Sequence, residues 1–206
     1  MISFDDLVKE MLKCEQTKGQ TVYQHGVDVW NCFSELTEIV HRNWRLPSWF
    51  YDYGEGLIEN IHENHVISNY IRLHDIGKPH CRTVDENGKV HFPNHAEVSK
   101  NIFLESDDVY NTQEQLKSDG RKIANLIGWD MILHTASAEE IQNYIENIWT
   151  IQDACTLLLA ALAEVHSNAK LFGGTDSNSF KAKWKQLDRR GKQICNFYFE
   201  QEKKNG

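Results

Sequence analysis

The sequence lacks the cysteine pattern that would staple a small fold or hold a sulfur-ligated metal. Its five cysteines, Cys14, Cys32, Cys81, Cys155 and Cys195, are odd in number, far apart and without a CxxC pair. That spacing argues against both a disulfide framework and a thiolate zinc site. They read as reduced thiols; Cys81 is set apart because it follows Pro79 and His80. No apolar run approaches the roughly 20 residues needed to span a bilayer, and Met1-Ile2-Ser3-Phe4-Asp5-Asp6 has neither the basic start nor the apolar stretch of a signal peptide. A soluble, cytoplasmic protein without a membrane partner is expected. Basic charge is also short, with 22 Lys and Arg against 30 Asp and Glu and a formal net charge of −8. Broad binding to duplex nucleic acid is disfavoured, while a local basic groove can still take one phosphate or a strand end. Internal repeats, low-complexity tracts and linkers are absent, and 206 residues with 40% hydrophobic content can bury one substantial core. The chain is read as a single domain over 1–206 with a C-terminal helical extension from about residue 180.

What is present is helix after helix. An amphipathic segment at 3–13 precedes Thr17-Lys18-Gly19-Gln20. Thr21-Val22-Tyr23-Gln24 then has the form of a capping box opening a helix to about 43. On it His25, Val29, Phe33 and Leu36 share a face, widened by Trp30, Ile39 and Val40, so His25 points toward the core. The stretch from Trp44 to Tyr53, with Pro47 and the following Gly54, breaks the helical pattern and is expected to form a loop wall, with Trp44, Trp49, Phe50 and Tyr51 filling the core beside it and the lining of a substrate pocket by stacking a base as the alternative. Thr83-Val84 and Val90-His91-Phe92, around Asp85-Glu86-Asn87-Gly88, predict a small β-hairpin, the one strand signal in the chain. Further helices are expected from His95 behind Asn94, over 119–133 with His134 at its end, after Ser137, through the apolar run before Glu164, and from about 180 to 200 behind a flexible 173–179 loop. Asp107-Asp108 reads as a solvated turn.

The most informative residues are His74 and Asp75. Val66, Ile67, Tyr70, Ile71 and Leu73 recur with helical spacing, and Gly77 and Pro79 supply a stop and a break just after them. The pair therefore falls in a last helical turn, where the partial negative charge of unpaired carbonyls favours a cation held by imidazole and carboxylate.

The order His25, His74-Asp75, His95, His134 and a later acidic residue resembles the HD-domain metal-dependent phosphohydrolase superfamily. Locally, HDIGKP, RTVDENGKVHF and His95-Ala96-Glu97 resemble the HD domain of bacterial tRNA nucleotidyltransferases over about two dozen residues. The sparse ligand order extends the resemblance from His25 to about Asn168 and leaves the first twenty residues and the C-terminal tail unmatched. The resemblance implies an all-α HD-domain helical bundle with one small β-hairpin after the HD helix. It also implies a divalent metal and hydrolysis of phosphate esters on a nucleotide or nucleic-acid end. Where the family places an Asp, Glu164 occupies the expected position; Asp153 is the alternative, eleven residues earlier and roughly 16 Å away along a helix axis, so both cannot bind one ion.

The implied metal ligands are thus His25, His74, Asp75, His95, His134 and Glu164, with His95 and His134 open to contacting substrate instead. Mixed imidazole and carboxylate donors suit Mn, Co, Ni, Fe or Zn, as one ion or as two bridged by Asp75. Asp75, Lys78 and His95 are the candidate catalytic groups, and Lys78 and Arg82 the candidate phosphate contacts. His41, His62, His65, His80, His91 and His166 are not expected to be ligands. The leading expectation is cleavage of a phosphomonoester or phosphodiester by metal-activated water. The alternatives are an HD-type di-iron oxygenase and a degenerate HD module that binds a nucleotide without turning it over.

Overall fold

The computed structural model describes residues 3–38, 44–106 and 114–200. The expectations placed on Ile39, Val40, His41 and Asp107-Asp108 lie outside the described residues. In chain order the elements are α1 (Phe4–Lys13), β1 (Glu15–Thr17), β2 (Gln20–Thr21), α2 (Val22–Thr37), α3 (Ser48–Glu59), α4 (Asn64–Leu73), α5 (Lys78–Cys81), β3 (Thr83–Val84), β4 (Val90–His91), α6 (His95–Glu105), α7 (Glu114–Trp129), α8 (Ile132–Thr135), α9 (Ala138–Asn147), α10 (Ile151–Ser167) and α11 (Asn178–Tyr198). Among the described residues the fold is all-α apart from two two-stranded ribbons. No described helix is long and apolar enough to cross a membrane. The chain divides into two compact units, Met1–Trp30 with Glu63–Asp130, and Asn31–His62 with Met131–Gly206.

In the first unit Ser3 caps α1 by accepting from the Asp6 amide at 3.3 Å, and Leu7 and Met11 form the buried face. The chain then reverses through β1 and β2, with Gly19 at φ 81 in the turn. This ribbon departs from the single hairpin expected, because strands of three and two residues carry no readable alternation. Thr21 does cap α2, its Oγ1 accepting from the Gln24 amide at 3.1 Å. The Gln24 side chain instead reaches forward to Asp28 at 2.8 Å, so the capping box is half made. α4 buries Val66, Ile67, Tyr70, Ile71 and Leu73 and packs on α7, which also packs on α6.

Gly77 and Pro79 act differently from a stop and a break. Gly77 has φ −83, so no left-handed turn requires it; a Cβ there would stand 2.5 Å from the Ser99 amide nitrogen. The glycine lets α6 approach, and its amide donates to Ser99 Oγ at 2.9 Å. Pro79 lies in the first turn of α5, where its missing N–H costs nothing. The expected hairpin is present, with Thr83 opposite His91 and Val84 opposite Val90. Its turn is tied by Asp85 Oδ1, which accepts from the Asn87 and Lys89 amides at 2.9 and 3.0 Å.

In the second unit the aromatic stretch corrects its expectation, since it enters α3 at Ser48 rather than forming a loop wall. Pro47 precedes the first turn and does not interrupt it, and Trp49, Phe50, Gly54 and Leu57 share a buried face. Gly191 on α11 leaves room for the Trp49 ring, and Trp49 and Phe50 fill the core while Tyr51 stays exposed. The helix expected over 119–133 ends at Trp129; Asp130 closes on Ile127 with a 3.3 Å amide bond, and His134 belongs to the separate α8. Ser137 and Glu140 form a full capping box on α9, as do Thr150 and Asp153 on α10. α10 is buried on nearly every face from Ala154 to Ala163 and is the central helix of this unit, packed by α3, α8 and α11. Gly173 and Gly174, at φ 87 and 95, make the loop before α11.

Candidate metal centre

Asp75 lies in the turn just past α4, and its carboxylate is 1% exposed. Three imidazoles from three elements face it. His74 Nε2, from the C-cap of α4, is 3.2 Å from Asp75 Oδ2; His25 Nε2, from the first turns of α2, is 3.7 Å from the same oxygen; His95 Nε2, from the first residue of α6, is 3.6 Å from Oδ1. Local sequence explains each delivery. Helical phase puts His25 on the buried face of α2, fully covered, and Gly26 allows that face to meet the Arg72 backbone of α4. His25 and His74 meet edge to face with ring centroids 5.2 Å apart.

The ring orientations bear on what the cluster can hold. His74 Nδ1 lies 2.7 Å from the Ile71 carbonyl and His95 Nδ1 lies 3.0 Å from the Phe92 carbonyl. A neutral imidazole that donates through Nδ1 carries its lone pair at Nε2, the arrangement by which a backbone carbonyl prepares a histidine for a metal. A buried carboxylate with three imidazoles beside it therefore fits a borderline divalent metal by donor type. Burial works against ionisation of Asp75, but the charge of His74 and Lys78, the His74 contact and His25 outweigh it and hold the carboxyl well below the usual carboxylate range.

Lys78 is itself buried, with Nζ 2.6 Å from Asp75 Oδ2, 2.5 Å from Gln16 Oε1 and 5.3 Å from the Phe92 ring centroid. Gln16, on the unforeseen β1–β2 ribbon, is the neighbour that sequence reasoning missed, and no motif or period marks it. Arg82 is exposed beyond α5, on a surface pocket of about 600 Å³ shared with Lys13, Glu10 and His80. Cys81 ends α5 half-buried; burial, then Asp75, raises its pKa and keeps it a thiol.

The other two proposed ligands stand together in the second unit, His134 Nε2 lying 3.5 Å from Glu164 Oε2. The Gln186 side chain donates to the His134 carbonyl at 2.6 Å, tying α11 to α8. Asp153, the alternative acid, is committed elsewhere. Its Oδ2 accepts from the Thr150 amide and hydroxyl at 2.9 and 2.7 Å, and Oδ1 meets His62 Nε2 at 2.8 Å. The remaining described histidines also have structural partners: His65 meets Asp119, His80 meets Glu10 and His91 meets Asp85 at 2.8–3.0 Å. His166 uses both nitrogens, toward the Leu162 carbonyl and the Arg45 amide, and stacks on Trp44.

No protein-family model, curated protein or solved structure matches this chain.

Proposed function

We propose that this chain is a metal-dependent phosphohydrolase whose centre is built on Asp75 with His25, His74 and His95. The observation that carries this reading is the approach of three imidazole Nε2 atoms from three elements to one buried carboxylate, at 3.2–3.7 Å. Once bound, a divalent transition metal supplies a water of lowered pKa and offsets charge on a phosphoryl group. The residues around it do the rest. Asp75 draws the cationic and imidazole groups together and excludes bulk water by its burial. Lys78, held between Asp75 and Gln16, keeps an ammonium beside the centre for a phosphoryl oxygen. His95, at 17% exposure the most open of the three imidazoles, serves either as the third nitrogen ligand or, left off the metal, as the group that exchanges a proton with solvent. The resemblance to HD domains supports a nucleotide or nucleic-acid end as substrate, and the net charge of −8 suits a small anion better than a duplex. His134 and Glu164 enter the proposal as further ligands by the same resemblance.

One feature favours a second reading. Asp75 turns Oδ2 toward His25 and His74 and Oδ1 toward His95, as a carboxylate bridging two ions would, which suits an HD-type di-iron oxygenase. The test is metal analysis of the purified protein, followed by phosphate release from nucleotides and RNA ends, including 2′,3′-cyclic phosphates, after stripping and adding back Mn, Co, Ni, Mg and Zn. Metal-dependent release is expected. Bound iron with oxygen consumption and no phosphate release would replace this reading with the oxygenase. Nucleotide binding without turnover under every metal would replace it with a degenerate binding module.

A further inference from the structure

A cavity of about 660 Å³ in the second unit is formed by α3 and the end of α11. Phe50, Tyr51, Tyr53 and Phe199 supply ring faces, Asp52 and Glu55 supply carboxylates, and no Lys, Arg or His lines it among the described residues. Tyr53 and Phe199 stack with centroids 5.8 Å apart and an interplanar angle of 22°.

Two glycines border the hollow. Gly54 and Gly56 lie inside α3, where glycine is unfavourable relative to alanine. A Cβ on Gly56 would stand 3.2 Å from the Phe199 ring, and one on Gly54 3.4 Å from the Phe50 ring. Larger side chains at these positions would occupy the space that the rings enclose.

Among the described residues the charged side chains lining the cavity are carboxylates, and acidic groups bear on two neighbouring side chains. The Tyr53 hydroxyl, 3.5 Å from Glu200 Oε1, is held above its ordinary pKa by burial, then by Glu200 and Asp52. The buried Cys195 thiol is pushed up to about 12 by burial, then by the same two carboxylates. Ring faces and carboxylates without a cation repel phosphate and attract positive charge. The exposed Asp52 and Glu55 and the apolar walls suit a diffuse charge carried on an apolar body rather than a bare metal ion.

We propose that this cavity is a binding site for an organic ammonium ion, its alkyl groups against Phe50, Tyr53 and Phe199 and its charge toward Asp52 and Glu55. The site is separate in its chemistry from the phosphate-directed centre on Asp75 and does not depend on it.

Calorimetric titration of the full chain with choline and with its neutral carbon isostere, 3,3-dimethylbutan-1-ol, tests the proposal. Choline is expected to bind about tenfold or more tightly than the isostere, and D52N/E55Q to lose that advantage with an unchanged melting temperature. Both residues are exposed, so the variant tests the site without disturbing the core. Equal binding of the two probes, undiminished choline binding by D52N/E55Q, or no binding of either choline or benzyltrimethylammonium would overturn it.

Discussion

Each unit buries an aspartate beside histidine, and the two carboxylates keep different company. Asp153 in the second unit is 9% exposed, and Asp75 in the first is 1% exposed. Burial opposes ionisation of both, and neighbouring groups lower the pKa of both. Yet Asp153 is held at 2.7–2.9 Å by the Thr150 amide, the Thr150 hydroxyl and one imidazole, the geometry of a helix cap. Asp75 has three imidazoles at 3.2–3.7 Å and an ammonium at 2.6 Å. Burial and a histidine partner therefore do not distinguish a structural acid from a candidate ligand. Partner type does: Asp153 is closed off by an amide, a hydroxyl and one imidazole, whereas Asp75 gathers three imidazoles and an ammonium.

Substituting each acid in turn would break or sharpen this contrast. Asp75→Asn should have the largest effect. Metal affinity should fall by more than about 100-fold, since removing even an outer partner of a ligand costs about 10–100-fold. The metal-free protein should also lose about 3–5 kcal/mol, because Lys78 stays buried without its carboxylate; metal titration and urea unfolding read the two effects separately. Asp153→Ala should cost about 2 kcal/mol through the lost cap and His62 bond, with metal content unchanged. Reduced metal content in that variant would refute its assignment as a purely structural acid.

Acid should distinguish Asp153→Ala from the parent in a definite direction. The folded Asp153 carboxyl lies below its ordinary value: burial raises it, and the bonds from His62 and Thr150 outweigh that. Its contribution to stability is therefore complete above the unfolded value of about 3.9 and is lost as pH falls through the folded value. Melting temperature against pH should fall less steeply below about pH 4 in Asp153→Ala than in the parent. The smallest effect is expected from Ser137→Ala, about 1 kcal/mol from the α9 cap, again with metal content unaltered.

Much of the scaffold was legible because local signals dominate it. The apolar phase of α4, the Asn-Gly hairpin, the Ser137 box and the glycine loop before α11 depend on neighbours within a few residues. What the sequence withheld depends on distant partners. The stretch through Trp49 and Phe50 reads as a loop because Pro47 and Gly54 look like breakers, and the packing of Trp49 over Gly191 that fixes it is a contact far along the chain. Gly77 reads as a helix stop, whereas its reason is the Ser99 backbone 22 residues away. Glu164 and Asp153 sit on one helix and have similar chemistry; only Thr150 and His62 reveal that Asp153 is already used. Gln16 had no signal at all, being polar, on a three-residue strand and significant only through Lys78.

The most direct measurement is the melting temperature of stripped protein titrated with Mn, Co, Ni, Fe(II) and Zn, run in parallel on the parent, Asp75→Asn and Asp153→Ala. Binding to the folded state at 100 times Kd adds about 2.7 kcal/mol. The parent and Asp153→Ala should therefore rise together with at least one metal, and Asp75→Asn should not rise. An equal rise in Asp75→Asn, or no rise in the parent with any of the five, would contradict a metal centre built on Asp75.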